Sequence, residues 1–271
     1  MLKVVVCYRL KLTRLDCRFA QLRKSIYLYK RTKIGVLSYI IGMATIGVYD
    51  SGIGGLTTLK ILLEKFAGND FYYLADNASH PFGNKDEKQL ENIVYDGVCK
   101  LKNNSDYVVL ACNTASTVYK EKDVFKLLPK IPHDTAYCLL LATEFTLEHT
   151  DTGKIETADT RDLASMIEVQ ASINCKKDSL SMNALLPYLA CKLFKFKGVK
   201  KVILGCSHYP YCKKEISTIL GDVDFCDGND CLVGELEKFV APTAAKSNVT
   251  FKFTGGNEEN KYKKILSLLR V

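Results

Sequence analysis

The feature that most constrains this chain is a series of short apolar runs that do not alternate with polar residues. They are Thr45–Tyr49, Phe71–Ala75, Tyr107–Ala111, Tyr137–Ala142, Val199–Gly205, Val223–Cys226 and Val249–Phe253. A strand with one wet face alternates apolar and polar residues, whereas a parallel strand covered on both faces reads as a nearly continuous apolar run. Segments with helical periodicity separate the runs: Leu56–Phe66, Glu87–Lys102, Ala115–Leu128, Leu180–Phe194, Lys213–Leu220, Cys231–Phe239 and Asn260–Leu269. Alternating β and α segments predict a doubly wound α/β protein with largely parallel sheets. The polar stretch Asp151–Arg161, rich in Thr and Asp, reads as a surface loop.

A length of 271 residues suits about two such domains. The positive charge is confined to one end. Residues 1–42 hold ten Lys or Arg against one acid, Asp16, and the rest of the chain is close to neutral. Ile34–Tyr49 is uncharged but falls short of the roughly 18–20 residues a membrane span needs. The folded domain is therefore expected to begin near Met43. Residues 1–42 read as a basic extension outside the fold, translated upstream of the domain's own start. A targeting or membrane-surface segment and a nucleic-acid arm are the competing readings of that extension. Eleven cysteines with no C-x-x-C pair, several inside apolar runs, read as free thiols in a reduced compartment, the cytoplasm.

In open parallel sheets ligands bind beyond the carboxyl ends of the strands, so the residues after each strand carry the functional signal. Two strand ends are alike. Val108-Val109-Leu110-Ala111-Cys112-Asn113-Thr114-Ala115-Ser116 and Val202-Ile203-Leu204-Gly205-Cys206-Ser207-His208-Tyr209-Pro210 each end an apolar strand in a cysteine followed by small polar residues. Two thiols on opposite sides of one ligand suit proton transfer at a carbon from both faces, one thiolate removing a proton while the opposite thiol supplies one. A free thiol with a pKa near 8.5 needs help to ionise near neutrality. A third strand end, Asp50-Ser51-Gly52-Ile53-Gly54-Gly55-Leu56, imitates a dinucleotide fingerprint. Thr57 in the third glycine position and an anionic Asp50 argue against a pyrophosphate there. A fourth, Asp76 to Asn84, reads as a loop over the same edge. His80, His133 and His149 read as loop or surface histidines. Cys206-Ser207-His208 lacks two further ligands at metal-binding spacing, so no metal is expected.

At these strand ends the chain resembles the cofactor-independent aspartate/glutamate racemase family. The resemblance rests on Asp50-Ser51-Gly52-Ile53-Gly54-Gly55-Leu56, on Asp76 through Pro81-Phe82-Gly83, on Ala111-Cys112-Asn113-Thr114-Ala115-Ser116, and on Gly205-Cys206-Ser207-His208-Tyr209-Pro210. It continues more weakly through Ala142-Thr143-Glu144-Phe145-Thr146 and covers about residues 43–271. It implies two α/β domains, residues 43–131 plus 230–271 and residues 132–229, with the active site in the cleft between them. It implies interconversion of L- and D-glutamate without pyridoxal phosphate or metal, in the cytoplasm, supplying D-glutamate for peptidoglycan synthesis. Aspartate or another small acid is the alternative substrate, and a catalytically dead ligand-binding relative is the alternative class. The expected partner is glutamate itself; a homodimer is left open.

The same resemblance assigns roles. Cys112 and Cys206 would be the acid/base pair, assisted by Asp50 and His208, and Glu168 is the candidate for a catalytic glutamate in the second domain. Asp50, Ser51, Asn113, Thr114, Ser207 and His208 would hold the substrate's amino and α-carboxylate groups. Pro81, Phe82 and Gly83 would form part of the wall, and Thr146 would touch substrate. The sequence departs from the family pattern where Phe82 replaces a tyrosine, Ser207 a threonine and Ala142 a glycine. The segment Pro129–Leu139 is also shorter than the strand–helix connection the family carries there.

Overall fold

Strand β1 (Thr45–Asp50), buried over all but its first residue, is the middle of a five-stranded sheet. The computed structural model describes residues 43–270, so the readings of residues 1–42 lie outside the described residues. β1 pairs in parallel with β2 (Asp70–Ala75) on one side and β3 (Tyr107–Leu110) on the other. The edges are β9 (Val249–Phe253), beside β2, and the two-residue β4 (Phe125–Lys126), beside β3. A second sheet, also wholly parallel, runs β6 (Glu156–Asp159), β5 (Cys138–Ala142), β7 (Lys201–Gly205), β8 (Asp224–Cys226). All seven apolar runs became strands; of the two central ones of the second sheet, β5 is buried throughout and β7 over all but its first residue.

The helices follow from their apolar spacing. α1 (Leu56–Lys65) buries Leu56, Leu59 and Leu62 at three-residue intervals. α2 (Glu87–Lys102) buries Leu90, Val94, Val98 and Leu101, and its Asp86 cap accepts the Gln89 N–H at 2.9 Å. α6 (Leu186–Leu193) carries Pro187 in its first turn, where the missing N–H costs nothing. α7 (Lys213–Leu220), α8 (Asn229–Leu236) and α9 (Glu259–Leu268) lie within a few residues of their predicted bounds. No helix among the described residues is long and apolar enough to cross a membrane.

Four sequence expectations are corrected. The helix expected over Ala115–Leu128 is only α3 (Asn113–Val118). Beyond it Phe125 packs on Tyr107 and Phe239, with ring centroids 6.3 and 5.7 Å away, and the chain extends as β4 to pair with β3. Tertiary packing there overrides local propensity. The expected loop Asp151–Arg161 contains β6, an edge strand of which only Ala158 is buried. A charged edge strand carries no apolar run to announce it. Leu180–Phe194 is helical only from a 3-10 turn at Asn183 onward. Finally, α5 (Leu163–Asn174) was not anticipated; its buried stripe is Leu163, Ala164, Ile167 and Ala171. A shorter helix, α4 (Glu144–Glu148), follows β5, capped by the Thr143 hydroxyl.

Gly97, inside α2, has no side chain because the Tyr49 ring lies against its backbone; a Cβ would overlap that ring. Tyr49 cannot yield, since it is fully buried, its hydroxyl donates to Asp76 Oδ2 at 2.7 Å, and it packs on Phe82. In an exposed helix Gly→Ala gains about 1 kcal/mol. Here Gly97→Ala is expected to lose about 1–3 kcal/mol through overpacking, read as a lower urea midpoint with an unchanged slope.

Candidate active site between the two sheets

The strand ends singled out in the sequence converge. Asp50 is the last residue of β1, Cys112 joins β3 to α3, and Thr143 follows β5. Cys206, Ser207 and His208 follow β7, and Glu168 lies in the second turn of α5. Hydrogen bonds tie the loops of one sheet to those of the other. Ser207 donates to Asp50 Oδ2 at 2.9 Å, and the Ile53 N–H donates to Glu168 Oε1 at 2.6 Å. The Tyr211 hydroxyl donates to the Ile53 carbonyl at 2.9 Å, and the Thr114 and Thr143 hydroxyls lie 3.1 Å apart. The carboxyl ends of the two sheets therefore face each other across the candidate site.

The glycines of the first turn allow this approach. A Cβ on Gly52 would overlap the Glu168 carboxylate, and one on Gly54 would overlap the Ser207 hydroxyl and the His208 ring. Only a bare backbone brings the Asp50–Gly55 turn this close to the second sheet.

Both thiols are buried, Cys112 at 5% and Cys206 at 6% exposure. Their surroundings differ. Burial, reinforced by the nearby Asp50 carboxylate, pushes the Cys112 thiol far up, while the Ala115 N–H and the Ser51 hydroxyl pull it partly back. Cys206 Sγ faces His208 Nδ1 at 3.9 Å, and His208 Nε2 donates to Glu168 Oε1 at 3.1 Å. Burial alone would discharge His208; its hydrogen bonds to Cys206 and Glu168 overcome that and hold it well above the usual imidazole range. Glu168 likewise resists burial and lies below the usual carboxylate range because of its bond to His208. Asp50 is raised by burial, an effect reduced by the charge of His208, the Gly52 N–H and the Ser207 hydroxyl. The result is a thiol beside a carboxylate on one side and a thiol–imidazolium–carboxylate chain on the other.

The remaining candidates fall around this pair. Asn113 is buried and donates to the Leu127 carbonyl at 3.2 Å, leaving its Oδ1 without a protein partner. Thr146 is fully buried and accepts from Thr143, whose hydroxyl lies 3.0 Å away. Pro81 precedes a 3-10 turn that begins at Phe82; the Phe82 ring is buried in the cluster that also holds Tyr49, Cys112 and Phe145. Gly83 is positioned so that a Cβ would touch Thr143 at 3.4 Å.

Sequence reading missed three residues here. His80 joins the site: its ring lies 5.6 Å from that of His208, and both its nitrogens are sealed from solvent with no partner. Thr143 links Thr114 to Thr146, and Tyr211 clamps the first turn. Only Thr143 had a local signal, as a capping residue directly after the apolar run Tyr137–Ala142.

No family model matches the chain. Curated relatives and solved structures do. A glutamate racemase of Campylobacter concisus is 30% identical over 246 residues, covering 81% of this chain and 94% of that one. A glutamate racemase of Halothermothrix orenii is 27% identical over 249 residues, covering 83% and 98%. The crystal structure of glutamate racemase from Francisella tularensis in complex with D-glutamate superposes with a TM-score of 0.67 at 22% identity, covering 83% and 94%. The fold is thus that of the two-sheet α/β racemases, enzymes of the isomerase class. Within that class, the chain belongs to the glutamate racemase family.

The His208–Glu168 pair sets a pH window. Glu168's contribution to stability is present above its unfolded value, about 4.3, and is lost as pH falls through its lower folded value. His208's contribution is present below about 6.5 and is lost as pH rises through its raised folded value. Glu168→Gln is expected to destabilise most between these limits. It should also lower the His208 pKa, since burial would then be opposed by the Cys206 contact alone. NMR titration of the imidazole carbons checks this; an unmoved His208 would mean that Glu168 does not hold its charge.

Proposed function

We propose that this chain interconverts L- and D-glutamate by a two-base proton transfer at the α-carbon, with Cys112 and Cys206 on opposite sides of the substrate. The observation that carries the reading is the pairing of the two cysteine-bearing strand ends across the sheet junction, each with its own ionisable partner. In one direction a thiolate takes the α-proton, leaving a planar carbanion, and the opposite thiol returns a proton to the other face. The two sulfurs exchange protonation states, so the reverse reaction uses the same groups. His208 places positive charge beside Cys206, and Glu168 keeps that charge in place. Asp50, raised by burial and close to Cys112, is the group able to take that thiol's proton.

Asn113, Thr114, Thr146, Ser51 and Ser207 are the groups we assign to the substrate's amino and carboxylate ends, with Pro81, Phe82 and Gly83 as wall. The free Oδ1 of buried Asn113 suits an ammonium donor. Because the thiols and their partners supply both acid and base, the scheme needs neither pyridoxal phosphate nor a metal ion. We place the reaction in the cytoplasm, with D-glutamate as a peptidoglycan precursor. We also take residues 43–131 with 230–271, and residues 132–229, as the two halves that close on the substrate.

Cys112→Ser and Cys206→Ser are each expected to lower turnover in both directions by more than the ~10²–10⁴-fold usual for a positioned acid/base group. The decisive measurement follows α-proton exchange of glutamate in D₂O together with its chirality. Exchange of aspartate but not glutamate would move the substrate. No exchange with either, in a folded protein, would make the chain a binding relative.

Thr114→Val removes a hydroxyl at nearly constant volume. A lost substrate hydrogen bond of roughly 1.5–3 kcal/mol corresponds to a fall in kcat/KM of about 10- to 100-fold, equal for both enantiomers. An unchanged kcat/KM would mean that the Thr114 hydroxyl serves only its neighbour Thr143.

A further inference from the structure

The imidazoles of His80 and His208 and the carboxylate of Glu168 form a cluster that the racemisation scheme does not fully use. One ligand atom from each lies within 4.8 Å of the other two. His208 Nε2 and Glu168 Oε1 are already 3.1 Å apart, close to the separation of two ligands about 2.0–2.2 Å from a common ion. His80 is the member without an explanation. Both of its ring nitrogens are buried and unpartnered, a costly state for a donor and an acceptor. Gly52 leaves room between Glu168 and His80, because a Cβ there would fall on the Glu168 carboxylate and within 3.4 Å of His80 Nδ1. A cavity of about 400 Å³ is bordered by Gly52, His80, Glu168 and Lys261. The Lys261 ammonium at its rim is paired with Glu258 at 2.5 Å.

We propose that His80, Glu168 and His208 bind a divalent transition-metal ion of the zinc type, and that the bound ion switches the enzyme off. Two imidazoles and one carboxylate are a common three-ligand set for zinc, with the fourth position left to water. Binding at His208 Nε2 sends the proton held there to solvent and breaks the His208–Glu168 hydrogen bond. The imidazolium that faces Cys206 is then replaced by a metal-bound neutral ring. The binding half of the proposal stands on the cluster alone; the inhibition half rests on the racemase reading.

The test titrates the full-length, EDTA-treated protein with zinc chloride by calorimetry, and with cobalt(II) by visible absorption. The expected result is one ion per chain, with a cobalt spectrum of nitrogen and oxygen ligation and no thiolate charge-transfer band. His80→Asn should weaken binding about 100-fold or more, beyond the 10–100-fold typical of losing a group that only supports a ligand. His80→Gln, which restores a polar atom nearer the Nε2 position, serves if the Asn variant does not fold. Each His80 variant's own metal-free rate serves as its reference, and the zinc concentration for half-inhibition should rise with the dissociation constant. No binding at millimolar zinc, a thiolate band, or affinity unchanged in the His80 variants would overturn the site. Binding with the expected dependence on His80, but no loss of racemisation, would overturn the switch alone. An inactive protein that still binds would retain the site and fault the racemase reading.

Discussion

Two carboxylates, Asp50 fully buried and Glu168 half-buried, are the constraint to which the rest of the site conforms. A carboxylate out of water must be met by donors or positive charge, and neither of these finds enough on its own element. Asp50 ends a strand of the first sheet and is met by the Ser207 hydroxyl of the second. Glu168 sits on a helix of the second and is met by the Ile53 N–H of the first, as well as by His208. Each charge therefore anchors the opposite half. The same bonds that satisfy the carboxylates bring the carboxyl ends of the two sheets together, and with them the two cysteines.

That arrangement also makes the two sides electrostatically unlike. Cys112 shares its surroundings with Asp50, whose charge opposes a thiolate, while Cys206 shares its own with His208, which carries positive charge. The proposed two-base scheme needs one thiol protonated and one not, in either order, and partners of opposite charge beside the two sulfurs are in keeping with that scheme. The first turn's glycines serve the same end, because any side chain at Gly52 or Gly54 would push apart the groups that balance these charges.

His80 shows how a residue outside the reaction scheme can still bear on it. Its neutral ring lies beside the charged imidazole of His208, and the burial that keeps His80 neutral is the burial that His208 overcomes through Cys206 and Glu168. A cation that takes all three side chains competes directly with the proton on His208. The proposed acid/base chain and the proposed metal cluster are therefore alternative uses of the same two atoms, His208 Nε2 and Glu168 Oε1.

The sequence by itself determined the central strands, the parallel α/β class and the two cysteine-bearing strand ends. Each rests on a local pattern: an unbroken apolar run for a strand covered on both faces, and small polar residues where such a strand stops. Asp50, Cys112, Cys206 and His208 were legible because they stand at those stops. Edge elements were not, since β4 exists only because Phe125 packs on Tyr107 and Phe239, and β6 shows only one buried residue. Tertiary structure alone decided that the Ile53 N–H would meet a carboxylate 115 residues away. It also decided that His80, in a loop with no apolar pattern, would be sealed against His208. The physical reason is the same in each case. Strand burial is written in the spacing of neighbouring residues, whereas the pairing of buried charges depends on which distant loops the two sheets bring into contact.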